Sequence, residues 1–365
     1  MTRRWLTSAA CALALLVPGS LATASAAEAP APLRVLTRNL YLGADLAPIL
    51  AATNVPALIN AVTTAYANVQ ATNFPERAEA LADEIADSDP HVVGLQEAVL
   101  WSSQTPAGPG PADRKEYDFL EILLDKLSAR GKHYRIVDTV TVGSDFEAPR
   151  RVNGNLQDIR LTDRDVLLAR TDLPAHVFSV ANAQHAQFPS FVSFCHPTLG
   201  CQVRIPVKRG WVAADVTVRG HTARVVTTHL EPASPTTQEA QTAELLAGPL
   251  NTTLPTVLLG DLNSAAGGVG ATPGSATQSY NHLLAAGFSD VWTATRQRNP
   301  GFTCCQDPAL DNAVSTLTRR IDYVLFRGNI KARTAHRLGA APADRTPSGL
   351  WPSDHAGVRS VLLLR

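Results

Sequence analysis

The chain has 365 residues, 45% hydrophobic and 18% charged, enough to bury a large core and too apolar to stay disordered. Its formal net charge is zero with no run of like charges, which argues against a nucleic-acid-coating or polybasic membrane-binding protein and leaves a focused binding site open. No Pro/Gly/Ser-rich linker divides it, so one domain over residues 28–365 is expected.

The first 27 residues read as a secretory signal. Arg3 and Arg4 form a positive start, 9–17 an apolar stretch too short to span a bilayer, and Ala24-Ser25-Ala26 a small-residue cleavage site. The protein is therefore expected to be secreted. Removal of the signal takes Cys11 with it and leaves Cys195, Cys201, Cys304 and Cys305, an even set that reads as disulfides in an exported chain.

Residues 33–40 alternate apolar and polar and end near Asn39, the pattern of a first strand. Residues 47–69 are Ala-rich and helical in character, with Pro48 and Pro56 as interruptions, and 75–86 form a firmer helix with Pro and Glu in its first turn. A buried strand over 91–97 ends on Glu97. A Pro/Gly loop at 106–111 and an amphipathic helix over 116–130 follow. Strands are expected at 134–142 and 166–169, separated by a polar connection over 143–164. Phe188, Phe191 and Phe194 read as core or loop packing. Cys195 and Cys201 bracket a turn-rich loop that a local bridge would close, whereas Cys304 and Cys305 either bond each other or pair elsewhere. A zinc site that includes His196 is an alternative, but the spacing fits no standard finger.

Residues 211–218 and 222–230 form a hairpin turning at Arg219-Gly220, and 238–246 a helix. The run Pro255-Thr256-Val257-Leu258-Leu259-Gly260-Asp261-Leu262-Asn263 is a buried strand ending on a carboxylate and an amide. Either these two aim together out of the strand end, where α/β sheets place ligands, or they close a turn by bonding their own backbone. A mobile Gly-rich loop over 265–274, a helix at 279–286, and strands at 320–326 and 357–364 complete the chain.

Asn39, Glu97, His229, Asp261, Asn263, Asp322 and Ser353-Asp354-His355 thus fall at strand ends or in adjacent loops. Carboxylates with an amide suit magnesium, which engages phosphate oxygens, and histidines supply acid and base chemistry near neutral pH. There is no Gly-x-Ser-x-Gly nucleophile motif, so attack by activated water is the expected chemistry.

The motifs Thr37-Arg38-Asn39-Leu40, Gly94-Leu95-Gln96-Glu97, Thr227-Thr228-His229-Leu230, Leu259-Gly260-Asp261-Leu262-Asn263, Arg320-Ile321-Asp322-Tyr323-Val324 and Ser353-Asp354-His355 resemble, in order, those of the endonuclease/exonuclease/phosphatase superfamily. The resemblance implies a deoxyribonuclease I-like α/β fold, a four-layer sandwich of two packed mixed β-sheets flanked by helices. It implies a metal site at Glu97 with Asn39 and Asp354, holding Mg2+ or another divalent ion. It also implies catalytic roles for His229, Asp261, Asn263, Asp322 and His355, the last oriented by Asp322. Asp165 is a further candidate. Tyr41 stands where exonuclease III-like members carry Asp, so Asn39-Leu40-Tyr41-Leu42, with Thr228-His229-Leu230-Glu231 and Lys208-Arg209-Gly210, looks more like the sphingomyelinase branch, whereas Gln96-Glu97 is common to nuclease members.

The expected substrate is a phosphate ester, either a phospholipid head group, as for a sphingomyelinase or phospholipase C, or a nucleic acid. No stable protein partner is implied and a monomer is expected. The reading from a different class is a non-catalytic adhesion or delivery module that keeps the fold.

Overall fold

The computed structural model describes residues 1–2, 29–196, 198, 200–270 and 276–365. All but the first two residues of the expected secretory signal, and part of the Gly-rich loop, lie outside the described residues. In chain order, β1 (Ala31–Asn39) leads to helices α1 (Ala47–Leu50), α2 (Val55–Ala71) and α3 (Phe74–Ser88). Strands β2 (Val92–Gln96), β3 (Leu100–Gln104) and β4 (Arg114–Asp118), helix α4 (Phe119–Ala129) and the long strands β5 (Tyr134–Val152) and β6 (Asn155–Arg170) follow. The second half runs β7 (Phe178–Gln187), β8 (Val192–His196), β9 (Gly200–Val207), β10 (Gly210–Val218), β11 (His221–His229), α5 (Pro235–Ala247) and β12 (Thr256–Asp261). It ends with β13 (Ser264–Ala265), β14 (Val269–Gly270), α6 (Ser279–Ala285), β15 (Ser289–Asp290), α7 (Val291–Ala294), β16 (Asp322–Arg327), β17 (Ile330–Leu338) and β18 (Gly357–Leu364).

Two mixed sheets result. One is eight-stranded, in the order β17-β18-β1-β2-β6-β3-β4 with β5 on β6; the other is six-stranded, β15-β16-β12-β11-β10-β7. Each contains one parallel pair, β1 with β2 and β11 with β12, joined by the crossover helices that parallel strands require. Period-two alternation then sorts the side chains into layers. Val257 and Leu259 of β12 meet Leu33, Val35 and Leu167 between the sheets, while Leu258 turns to α6 and its Leu283. On the far side Val93, Leu95 and Leu168 pack under Tyr66, Leu81 and Phe119 of the first helical layer. Burial on both faces is why these strands read as unbroken apolar runs. Gly94 marks a close approach of the sheets, since a Cβ there would lie 2.5 Å from Thr227 Oγ1. The architecture is the expected four-layer α/β sandwich.

Several local expectations need correction. Pro48 and Pro56 do not interrupt a helix but start two, because proline at the first turn loses no intrahelical bond; Asn54 caps α2 by accepting from Ala57 N. The helix expected over 116–130 begins only at Phe119, after β4, with Asp118 as its cap. The polar connection expected over 143–164 is instead the continuation of β5 and β6, which turn at Asn153-Gly154, both at positive φ. Of the three aromatics, Phe188 is buried and Phe191 is exposed. Among the described residues no helix is long and apolar enough to cross a membrane.

His91, buried before β2, accepts from the Arg34 amide through Nδ1 at 2.9 Å. Burial, with the Arg34 and Arg170 charges, holds it down at about 4. A folded-state value below the unfolded one means that the unfolded chain takes up the proton first as pH falls. This contribution is whole above pH 6.5 and lost progressively toward pH 4, by about 3 kcal/mol at most. Urea melts of wild type and His91→Gln at pH 7 and pH 4 should show that much extra loss in wild type; parallel losses would refute it.

Candidate active site

Strand register assembles the site at one rim of the sandwich. Across three neighbouring strands of the six-stranded sheet, His229 pairs with Asp261 and Asp261 with Asp322. In the facing sheet Asn39 ends β1 opposite Gln96, and Glu97 follows directly. A buried polar thread ties the sheets together here: Thr37 Oγ1 donates to Gln96 Oε1 at 3.1 Å, and Gln96 Nε2 donates to Thr227 Oγ1 at 2.9 Å. Gly260 lets β12 lie close against β11 just before Asp261, because a Cβ there would sit 2.0 Å from the Thr228 carbonyl oxygen. Tyr41, Glu97 and Asn263 all hold positive φ, 60°, 55° and 48°, a concentration of strained backbone that is characteristic of functional sites.

Asn39 Nδ2 donates to Glu97 Oε1 at 3.1 Å and to Asp261 Oδ2 at 3.3 Å, while Leu42 N donates to Glu97 Oε2 at 2.8 Å. Asn39 Oδ1 accepts from Tyr41 N at 2.9 Å, so in this arrangement Asn39 orients Glu97 more than it offers an oxygen of its own. Ser353 Oγ donates to the Asn39 carbonyl at 2.8 Å and anchors the Asp354-His355 loop against β1. Asp354 and Glu97 line the same cavity mouth.

His355 Nδ1 lies 2.8 Å from Asp322 Oδ2 and 3.6 Å from Asp261 Oδ2, and its Nε2 faces Cys305 Sγ at 3.9 Å. Burial works against a charge on His355, but Asp322, Asp354 and Asp261 outweigh it and raise the imidazole well above its usual range. His229 is the opposite case. Burial, with Arg209 and His355 nearby, pushes it well below. Arg209 Nη1, a donor only, is 3.2 Å from His229 Nδ1, so the imidazole proton sits on Nε2, which lies 3.6 Å from Asp261 Oδ2. Asn263 closes an Asx turn, its amide donating to Asp261 Oδ1 at 2.9 Å and its Nδ2 to the Leu230 carbonyl at 2.8 Å. The turn and the site thus coincide: Asp261 Oδ2 is left to face the histidines.

Ligand-type atoms of Asp261, Asp322 and His355 lie within 4.8 Å of one another. The 2.8 Å Nδ1–Oδ2 contact makes that group a hydrogen-bonded cluster, and the carboxylates Glu97 and Asp354 at the mouth are the better hard-ion donors. The surroundings fit a divalent cation. Asp322 Oδ1 and both oxygens of Asp165 are buried without a hydrogen-bond partner among the described residues. Burial and neighbouring carboxylates push Asp261 up to about 7 and Asp354 up to about 6.

One important arginine, Arg77, escaped the sequence reading, and another, Arg209, stood there only as part of a motif with no role assigned. Arg77 of α3, fully buried, donates to the carbonyls of Thr72, Leu40, Tyr41 and Pro352 at 2.8–3.1 Å, clamping the loop after Asn39 to the loop before Asp354. Its place on the apolar face of α3, one turn after Phe74, was the available signal. Arg209, between His229 and Glu231, belongs to the Lys208-Arg209-Gly210 motif. Cys195 bonds to Cys201 and Cys304 to Cys305. His196, the residue of the alternative zinc reading, sits in β8, whose cysteine is in the first of these bridges.

A sequence model of the endonuclease/exonuclease/phosphatase family matches residues 65–355, most of the chain. The protein belongs to that family. No curated protein matches the sequence. Solved structures share the family fold at low identity. An endonuclease/exonuclease/phosphatase from Beutenbergia cavernae DSM 12333 is 20% identical over 92% of this chain and 72% of its own, with a TM-score of 0.54. A mannosyl-6-phosphatase from Bacteroides thetaiotaomicron VPI-5482 is 16% identical over 90% and 99%, with a TM-score of 0.51. A humanized D. rerio TDP2 is 16% identical over 91% and 98%, with a TM-score of 0.50. Within the endonuclease/exonuclease/phosphatase family, this member is a hydrolase of phosphoester bonds.

Proposed function

We propose that the protein is a secreted, magnesium-dependent phosphodiesterase that cleaves a phospholipid head group by attack of water. The observation that carries the reading is the convergence of Glu97 and Asp354 with His229, Asp261, Asp322 and His355 at one rim. Zero net charge and only five lysines weigh against a nucleic acid, whose non-specific binding comes largely from phosphate neutralisation. Export rests on the Arg3-Arg4 start, the apolar 9–17 stretch and the Ala24-Ser25-Ala26 site, in keeping with two disulfides.

Glu97 and Asp354 would hold the ion, with Asn39 fixing Glu97. When bound, the ion neutralises phosphate charge and polarises the phosphorus centre. Asp261 aligns the water and takes its proton as the new P–O bond forms. His355, charged and held by Asp322, aims Nε2–H at the negative charge that grows on a phosphate oxygen only in the transition state. His229 offers Nε2–H, and Asn263 its remaining amide N–H, to the charge that builds as the ester P–O bond breaks, and the proton that Asp261 took from the water passes to the leaving oxygen.

A panel of sphingomyelin, phosphatidylcholine, inositol phosphates, DNA and RNA, each with magnesium and with chelator, tests this. Metal-dependent release of a phosphorylated head group is expected. Cleavage of DNA or RNA alone would overturn the lipid assignment, and full activity under chelation would overturn the metal assignment.

A further inference from the structure

Beside the metal-binding carboxylates opens a cavity of about 540 Å3, within the size range of ligand pockets. Its polar lining includes Glu97, Asp354, Asp163, Arg209, Glu231 and Gln306. Most of its wall is apolar, with Ile49 of α1, Val62 of α2, Trp101 of β3, Ala148 of β5, and Ile159 and Leu161 of β6. The β5–β6 hairpin, whose β6 also pairs with β3 here, supplies half of these residues. The polar tips of the large side chains are turned elsewhere: Trp101 Nε1 donates to the Leu42 carbonyl at 3.0 Å and Tyr41 Oη to the Pro308 carbonyl at 2.9 Å. These two rings therefore present apolar surface to the cavity. Leu50, also lining it, is 41% exposed and makes an apolar lip toward solvent.

A nucleotide base or sugar in such a space would find no donors or acceptors along its aliphatic walls and would lose hydration without replacement. A hydrocarbon chain meets no such penalty. We propose that the cavity takes up a single hydrocarbon chain of an amphiphilic phosphoester, seating its phosphate at Glu97 and Asp354. At roughly 30 Å3 per carbon, comparable to the liquid volume of one water, the space holds at most ~18 carbons. The inference rests on the phosphoesterase reading and sharpens it: the enzyme draws one chain into its interior and thereby selects substrates by chain length.

Calorimetric titration of the full chain in magnesium with ethyl, hexyl, octyl and dodecyl phosphate, below their micellar concentrations, tests the inference. Affinity should rise about three- to fourfold per added methylene. Leu161→Trp, which fills the cavity from a half-buried position, should weaken dodecyl phosphate at least tenfold and leave ethyl phosphate unchanged. Ile49→Asp, on the short helix α1, should do the same by placing a charge in the wall, so the result does not hang on one variant folding. Equal affinity for all chain lengths, or chain dependence that survives both variants, overturns the inference. Metal-dependent hydrolysis of bis(p-nitrophenyl) phosphate, followed alongside, reads the phosphoesterase assignment separately. Turnover with flat chain dependence sinks only the chain pocket; steep chain dependence without metal-dependent turnover upholds the pocket and sinks the assignment.

Discussion

Glu97→Gln should lower metal-dependent turnover by about a thousandfold or more, the scale expected when a principal electrostatic contact of the transition state is lost. Glutamine keeps the shape of the side chain but not its chemistry. In the wild type, Glu97 accepts from Asn39 Nδ2 and from Leu42 N. A glutamine amide can accept from only one of these, and its NH2 must then face another donor, while the charge that attracts the ion is gone. Stability should not suffer in proportion. Glu97 raises the cost of ionising Asp163, Asp165, Asp261 and Asp354, so its neutralisation relieves repulsion among buried carboxylates. The expected signature is a melting temperature in chelator no lower than wild type, a loss of the stabilisation that magnesium gives wild type, and turnover near background. Near wild-type turnover in a well-folded Glu97→Gln protein would remove Glu97 from the metal site.

The parts of this molecule that were legible in its sequence are those where one local rule suffices. Residues 256–261 are buried on both faces, and their β-branched and leucine side chains between Pro255 and Gly260 read as a strand. Residues 357–364 form β18 with the expected bounds for the same reason. The rim residues were legible because strands that end in polar groups are rare unless the groups are used. Elsewhere the deciding information was non-local or was overlooked. The β5–β6 hairpin is half-exposed and polar along much of its length, so hydrophobic periodicity is weak, yet Asn153-Gly154 was a turn signal at its tip. That omission hid Ala148, Ile159 and Leu161, and with them the apolar cavity. Arg77 was hidden for another reason: its partners are carbonyls of Leu40, Tyr41 and Pro352, distant in sequence, and carbonyls leave no mark on composition.

His355→Ala and Asp322→Ala should each reduce kcat by about a thousandfold with little change in substrate affinity, and the double variant should be hardly worse than His355→Ala alone. The reason lies in how the two share one proton. Asp322 Oδ2 is 2.8 Å from His355 Nδ1 in a buried setting, so it fixes the tautomer and, with Asp354 and Asp261, favours the cationic ring. Without Asp322 the ring loses its partner and its preference for charge; without His355 the carboxylate is a buried negative group with nothing to hold. Residues that act as a unit in this way give strongly non-additive losses. A structural explanation makes a different forecast. Asp322 pairs with Asp261 across β16 and β12, and its backbone amide donates to Thr303 Oγ1 at 3.1 Å, so a merely architectural Asp322 would show its loss in melting temperature and not in kcat. Asp322→Asn separates the two. It preserves volume and a hydrogen bond to the ring but cannot hold an imidazolium, so the dyad requires a large fall in kcat at an unchanged melting temperature. A stable Asp322→Asn protein with near wild-type kcat would dissolve the dyad and leave Asp261, 3.6 Å from both histidines, as the group on which the proton transfers converge.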